Sequence, residues 1–355
     1  MSTEIALKPS TTAKEALGID LSLARRAHLP AGHGPALLVV IDTEEEFDWS
    51  APFARDNISV SAIQSLPPVQ RMFEQVGVRP TYVIDYPVAS TKSSAAVIRS
   101  FAEAGTAEVG AHLHPWVNPP FTDEDEREVS KADSYGGNLS ADLERGKLKA
   151  LAEAIEANVG VRARTYKAGR YGVAPRTIAT LRDLGFTCDT SSSPWFDWSG
   201  DGGPNFRDYP NFPYWIGGFP PMLEVPTTGG WCGPLRKVGE RYLRVVENTN
   251  GRRLRTVRGL LRRTGLAVRP MLTPEGYTLA ELKRLARQLV DDGLDVLSLS
   301  FHSPSVGPGH TAFVRTPQEQ AEFIERVRQF CVWFRDEMGG KFMTASELYG
   351  KVQQP

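Results

Sequence analysis

Short apolar runs alternate with amphipathic segments along most of the chain after Pro35. Residues 37–41 are continuously apolar between polar neighbours, which is typical of a strand buried on both faces. Segments with apolar residues near the helical period lie between such runs. The pattern predicts strands at 80–85, 107–112, 165–168, 186–190 and 295–301 and helices at 93–104, 140–158, 177–184, 279–290 and from 316 onward. This repeated alternation favours a mostly parallel α/β barrel or sheet.

Three stretches lie outside this alternation. Residues 1–34 are polar and rich in Ala, Gly and Pro, and we interpret them as a lead-in to a single domain at 35–355. Residues 191–221 are dense in aromatic residues, and residues 241–269 are rich in arginine. We interpret both as insertions in that domain. The arginine-rich insertion fits either a solvated amphipathic helix or a surface that docks an anionic or lipid-linked sugar.

Composition excludes several classes of protein. The chain has 355 residues, 41% of them hydrophobic, and a net charge of -1, so nothing favours nucleic acid as a partner. Its cysteines, Cys188, Cys232 and Cys331, are widely separated, which fits a reducing compartment better than a disulfide framework. No signal peptide and no apolar run long enough to span a membrane are evident, so the sequence predicts a cytosolic protein.

Ionisable residues cluster where predicted strands end. Asp42 and Glu44 follow the first apolar run, His112 and His114 follow the third, and His302 follows the last. The carboxyl ends of parallel strands meet on one face, where α/β proteins place their chemistry. Histidine nitrogens and carboxylate oxygens are the ligands that zinc prefers. A lone His-X-His pair is more often two hydrogen-bonded histidines at a strand end than a metal site, but the three strand ends together predict a metal site.

The ordered motifs resemble those of the polysaccharide deacetylase (NodB homology) family. The matching segments are 42–44 (DTE), 112–114 (HLH), 166–172 (YKAGRYG), Asp189 and 299–302 (LSFH). The longer strings DTEEEFDW, HLHPW and FHSPS resemble the WalW-type branch of that family. The likeness extends from about residue 37 to 348. It implies a distorted (β/α) barrel of seven to eight mostly parallel strands with loop insertions, and a divalent metal, usually zinc.

The resemblance also implies roles for individual residues. Asp42 matches the general base, Glu44 the metal-binding carboxylate, and His302 the general acid. His112 matches the first metal-binding histidine, and His114 the second, although the family usually has three residues between them. The implied reaction removes an N-acetyl group from an amino sugar of a bacterial surface polysaccharide or its precursor.

The third motif departs from the family pattern. An arginine normally orients the base, but Lys167 occupies that position here and Arg170 follows three residues later. Either could take the part, although lysine lacks the bidentate fork of arginine. Asp189 could support Lys167, Arg170 or His302, or could only cap a loop.

A carbohydrate substrate predicts aromatic contacts, because aromatic rings stack on the apolar face of a sugar. Trp116, Trp195, Trp198 and Trp231 follow predicted strands, and Trp116 is the first candidate because it lies two residues after His114. Two other functions stay open. One is an allantoinase-like hydrolase of a small amide, with or without metal. The other is a non-catalytic sugar-binding relative, whose strand-end residues would fail to converge.

Overall fold

The computed structural model describes residues 16–48, 51–122, 128–236 and 268–353. Its strands are β1 (Arg25–Arg26), β2 (Ala36–Thr43), β3 (Phe53–Ala54), β4 (Thr81–Ile84), β5 (Glu108–Leu113), β6 (Glu128–Val129), β7 (Thr165–Ala168), β8 (Cys188–Asp189), β9 (Tyr214–Ile216), β10 (Met222–Glu224), β11 (Val296–His302) and β12 (Lys341–Phe342). Its α-helices are α1 (Leu66–Val76), α2 (Tyr86–Ser90), α3 (Lys92–Glu103), α4 (Ala141–Val159), α5 (Pro175–Leu184), α6 (Leu279–Asp291), α7 (Pro317–Asp336) and α8 (Ala345–Lys351).

The main sheet is mostly parallel and curls into a half-barrel. Its strand order is β1-β9-β10-β8-β7-β5-β4-β2-β11, with β12 paired to the start of β2. Each neighbouring pair from β10-β8 to β2-β11 in this order is parallel. Strand β9 is antiparallel to both β1 and β10. This is the predicted α/β class with the form of a distorted barrel, and the described sheet has two more strands than the upper limit expected.

Strand β2 is buried along its whole length because apolar layers cover both of its faces. Leu37, Val39 and Ile41 pack into the core that the helices form on the outer face. The alternate residues, Leu38 and Val40, pack on the inner face in a cluster that includes residues of α8. Since side chains alternate across a strand, a continuous apolar run is the pattern that a strand between two such layers requires.

Most of the predicted elements are confirmed within one or two residues. Helix α7 begins as expected, with Thr316 and Glu319 exchanging the two bonds of a capping box. The stretch at 191–221 contributes β9 to the sheet, and the described part of the lead-in contributes β1, which pairs with β9. Residues 241–267 of the arginine-rich insertion lie outside the described residues. Among the described residues, no helix has the length and apolar character needed to cross a bilayer.

Candidate active site

Strand register brings the predicted residues to one end of the half-barrel. Asp42 on β2 is paired with His302 on β11, and His112 on β5 is paired with Lys167 on β7. Strand β4 lies between β2 and β5 in the same parallel arrangement. Because parallel strands share one carboxyl edge and this sheet is curled, side chains from four strands meet across its concave face. The non-catalytic alternative expected these residues to stay apart, whereas here they converge.

Asp42 and Lys167 form a buried ion pair at the centre of this cluster. The Lys167 ammonium lies 2.7 Å from each carboxylate oxygen of Asp42 and donates a third hydrogen bond, of 2.8 Å, to Ser300. Only 4% of Asp42 and 1% of Lys167 are exposed. Burial raises the pKa of Asp42, but Lys167 and nearby histidines outweigh that effect and hold the pKa below its ordinary value. Asp42 is therefore ionised at neutral pH.

His302 is held by Glu275, a residue that the sequence did not single out. The Nδ1 of His302 lies 2.8 Å from one Glu275 oxygen, and its backbone N–H donates to the other at 3.2 Å. Its Nε2 lies 3.7 Å from an Asp42 oxygen. Burial lowers the pKa of His302, but Glu275 and other nearby carboxylates outweigh this and raise it to about 10. The imidazole is therefore protonated, and its side chain is 32% exposed.

Glu44, His112 and His114 bring three metal-ligand atoms together. The Nε2 atoms of His112 and His114 lie 3.2 and 3.3 Å from the same Glu44 oxygen. All three ligand atoms lie within 4.8 Å of one another, and all three side chains are buried. The His-X-His spacing is compatible with convergence because His112 lies on β5 and His114 lies just beyond its end.

The hydrogen bonds of the two histidines leave lone pairs at the centre of this triad. The Nδ1 of His112 lies 2.9 Å from the Lys167 carbonyl, which only accepts, so Nδ1 carries the proton and Nε2 has a lone pair. The buried Nε2 of His114 has no hydrogen-bond partner among the described residues. A buried imidazole nitrogen that lies beside a carboxylate and has no hydrogen-bond partner is typical of a metal ligand, so this set fits a divalent cation.

Behind the triad, Glu45 accepts from two side chains. One oxygen lies 2.7 Å from His114 Nδ1, and the other lies 2.8 Å from Trp116 Nε1. Asp85 accepts from the Glu45 backbone N–H at 2.7 Å. Burial raises the pKa of Glu45 to about 7 and, with Glu45 beside it, raises that of Asp85 well above its ordinary value.

The structure corrects the expected role of Trp116. The side chain is fully buried rather than open to a sugar. Its indole stacks on the His114 ring, with centroids 4.3 Å apart, and packs against Phe47 and Phe53 on its other sides. The indole N–H also donates a hydrogen bond to Glu45. Trp116 therefore supports a histidine and cannot contact a substrate.

The strand-end residues open into a cavity of about 270 Å³. One wall carries Tyr171 and Trp198, whose rings stack with centroids 5.4 Å apart and an interplanar angle of 17°. Tyr171 and Arg170 both have positive φ angles, of 62° and 53°, a conformation that side chains rarely adopt outside functional or tightly constrained sites. Within the described residues, Trp198 is the tryptophan that lines this cavity, whereas Trp195 and Trp231 lie near Arg269.

Lys167, rather than Arg170, holds the Asp42 carboxylate. Arg170 lines the cavity and bonds to the Ser134 hydroxyl, the Lys131 carbonyl and Asp201, 3.2 Å away, so it pins the cavity wall.

Asp189 makes none of the three contacts expected of it. It accepts from Ser191, whose hydroxyl in turn accepts from the backbone N–H of Ala168. Its register partner on β10 is Glu224, and burial raises the pKa of Asp189 to about 6. Both carboxyl groups are fully buried, so Asp189 braces the loop after β7 from behind and stands outside the cavity.

Comparison with known proteins supports the fold. No family model matches this chain, and no curated protein matches it. A protein from Mycobacterium smegmatis assigned as a polysaccharide deacetylase is 17% identical, with a TM-score of 0.51 over 95% of this chain and 94% of its own. The 4-alpha-glucanotransferase from Thermococcus litoralis is 13% identical, also with a TM-score of 0.51, over 90% of this chain and 41% of its own.

A family 4 acetyl xylan esterase from Clostridium thermocellum, in complex with a cobalt ion, has a TM-score of 0.41 at 11% identity, over 89% of this chain and 90% of its own. At identities this low, the first two matches, each with a TM-score of 0.51, show a shared fold and no more. Since the first two relatives have names that denote different reactions, the reaction of this chain must be argued from its own site.

Proposed function

We propose that this chain is a metal-dependent hydrolase that removes an acetyl group from a carbohydrate. The observation that carries the proposal is the arrangement around Asp42, a buried carboxylate that is paired with Lys167 and flanked by a candidate metal triad and by His302. Hydrolysis of an amide or ester needs a base for water, a stabiliser for the oxyanion and an acid for the leaving group. The cavity offers one candidate for each of these tasks.

Glu44, His112 and His114 would hold the metal. Two imidazoles and one carboxylate with an open position are a ligand set typical of catalytic zinc, which is the ion we propose. When bound, such an ion lowers the pKa of a water molecule and polarises a carbonyl group. The two histidines are oriented for this task, since His112 and His114 each bond through Nδ1 to an oxygen acceptor.

Asp42 would act as the base. Its carboxylate is kept ionised by Lys167 and so is ready to accept a proton from the attacking water. Lys167 has a second effect, because its hydrogen bonds to both oxygens fix the plane of the carboxylate within the cavity. The lysine thus takes the place of the family's arginine, with Ser300 occupying its third donor position.

His302 would act as the acid. Its Nδ1–H is directed at Glu275, which leaves the Nε2–H pointing towards Asp42 and the cavity. An imidazolium in this position can deliver a proton to a leaving amine or alcohol. The Glu275 carboxylate favours the protonated form of this imidazole and raises its pKa.

The aromatic wall supports a sugar substrate. Tyr171 and Trp198 line the cavity, and Phe196 stacks on Trp198 with ring centroids 5.9 Å apart, so the three rings form an aromatic wall against which the apolar side of a pyranose would pack. We infer an N-acetylated amino sugar of a bacterial surface polysaccharide or its precursor, in line with the WalW-type motifs. A tryptophan in the cleft argues against the allantoinase-like alternative, which has no sugar to bind.

The test is acetate release from N-acetylated and O-acetylated sugar oligomers, with zinc supplied. We expect release from an N-acetylated substrate, and a loss of at least about 100-fold in the variant Asp42→Asn, the scale of general-base catalysis. The exposed Asp336→Asn serves as the matched control and should keep full activity. Release from O-acetyl sugars alone would change the bond assigned, and release from neither would refute the proposal.

A further inference from the structure

We propose that Glu45 sets the tautomer of His114 and thereby decides whether this histidine can bind a metal. Glu45 is a positioning residue, since it contacts His114 and not the cavity itself. The inference deepens the metal site proposed above and rests on it for its purpose. The tautomer itself, however, is a property of the metal-free protein and can be measured without any ligand or activity.

The Glu45 side chain is buried among polar groups, and the Asp85 carboxyl group lies beside it. The side chain is 0% exposed, with one oxygen 2.7 Å from His114 Nδ1 and the other 2.8 Å from Trp116 Nε1. The backbone N–H of Glu45 is fixed separately, by a 2.7 Å bond to Asp85. Glu45 therefore has a defined position from which each oxygen meets one nitrogen.

The donor and acceptor properties of the three side chains determine which nitrogen of His114 carries the proton. An indole N–H can only donate, so Trp116 always requires an acceptor from Glu45. A neutral imidazole has one donor and one acceptor nitrogen, and facing a carboxylate oxygen it must place its proton on Nδ1. The Nε2 of His114 then carries the lone pair, and this is the atom that lies 3.3 Å from Glu44 with no hydrogen bond.

The His114 ring is held in place by packing on several sides. Trp116 stacks on one face of His114 at 4.3 Å, and the His112 ring lies 4.6 Å away. On the side of the loop after β7, a side chain at Gly169 would overlap the His114 ring, so only glycine fits there. Because packing fixes the plane of the ring, the proton position is the property left for Glu45 to determine.

The variant Glu45→Gln separates shape from hydrogen-bond polarity. Glutamine has one oxygen and one NH₂, and Trp116 must receive the oxygen because the indole cannot accept. The NH₂ then faces His114 Nδ1 and forces it to accept, which moves the ring proton to Nε2. That proton points at the metal position, so we expect zinc affinity to fall about 10- to 100-fold, the usual effect of losing an outer-shell partner.

A second variant tests the cause. In Glu45→Gln combined with Trp116→Phe, no indole competes for the oxygen, so the amide can turn its oxygen to His114 and restore the original tautomer. We expect most of the zinc affinity to return, although the double variant has lost more hydrogen bonds than the single one. Trp116→Phe alone is the control for the change in packing, and it should keep the ring proton of His114 on Nδ1.

The measurement is ¹⁵N NMR of the histidine rings in metal-free protein at about pH 8, where a histidine of ordinary pKa is neutral, followed by zinc titration. We expect the proton on Nδ1 in the wild type and the double variant, and on Nε2 in Glu45→Gln. An unchanged tautomer or unchanged zinc affinity in Glu45→Gln would overturn the inference, as would failure of the double variant to recover. A wild type that shows this pattern and binds zinc but releases no acetate would refute the proposed reaction alone.

Discussion

The Lys167 ammonium lies 2.7 Å from both carboxylate oxygens of Asp42, in a pair that is almost completely buried at the base of the cavity. Lysine is a point charge, but here it behaves as a bidentate partner because its third donor is anchored on Ser300. This buried ion pair affects both the stability of the fold and the pH dependence of activity, because each charge stabilises the other.

Removing the lysine charge should destabilise the fold and weaken the base. In Lys167→Met, Asp42 is left as a buried carboxylate without its cation, which costs about 3–5 kcal/mol in the free energy of unfolding. The pKa of Asp42 rises, so the acidic limb of the pH–activity profile moves to higher pH. Lys167→Arg keeps the charge and is the matched control. Denaturant unfolding and pH profiles check this, and an unshifted acidic limb in Lys167→Met would show that Asp42 is not the base.

Removing the Glu275 charge should move the alkaline limb of the pH–activity profile. The carboxylate stabilises the His302 imidazolium and helps to raise its pKa to about 10. In Glu275→Gln that pKa falls, so the acid is lost earlier as pH rises and the alkaline limb moves to lower pH. Activity well below the new limb should change little. A pH series of kcat/KM decides the matter, and an alkaline limb that stays in place would exclude His302 as the acid.

The aromatic wall should affect substrate binding more than the chemical step. In Trp198→Ala the stacked pair with Tyr171 is broken, and we expect KM to rise about 10-fold with a smaller change in kcat, since burying an apolar surface the size of a sugar face against a ring contributes on the order of 1 kcal/mol. Trp231→Ala, outside the cavity, is the control. Steady-state kinetics on one oligosaccharide series provide the comparison, and equal effects of both substitutions would remove the wall from the substrate site.

Site residues at the ends of strands could be predicted from the sequence. Contacts between side chains of different loops could not. Asp42, His112 and His302 could be placed together because parallel strands share an edge, and the pattern of apolar runs revealed those strands. Glu275 precedes α6 in a segment without periodicity, so no pattern linked it to His302. The burial of Trp116 depends on the loop that follows β5, whose path no local pattern determines.

The choice between Lys167 and Arg170 was open for a related reason. Both residues carry the required charge, and only the positive φ angles after β7 turn Arg170 towards Asp201 and away from Asp42. Asp189 illustrates the same limit, since Glu224 is distant in sequence and becomes its neighbour only through the pairing of β8 with β10.

The most direct test of the account is metal stoichiometry by elemental analysis after zinc is offered to purified protein. We predict about one zinc per chain in the wild type and in the exposed-histidine control His28→Ala, and none in the folded double variant His112→Ala, His114→Ala. Circular dichroism would establish that the double variant is folded. A wild type without zinc, or a double variant that keeps it, would contradict the metal site on which the proposed reaction depends.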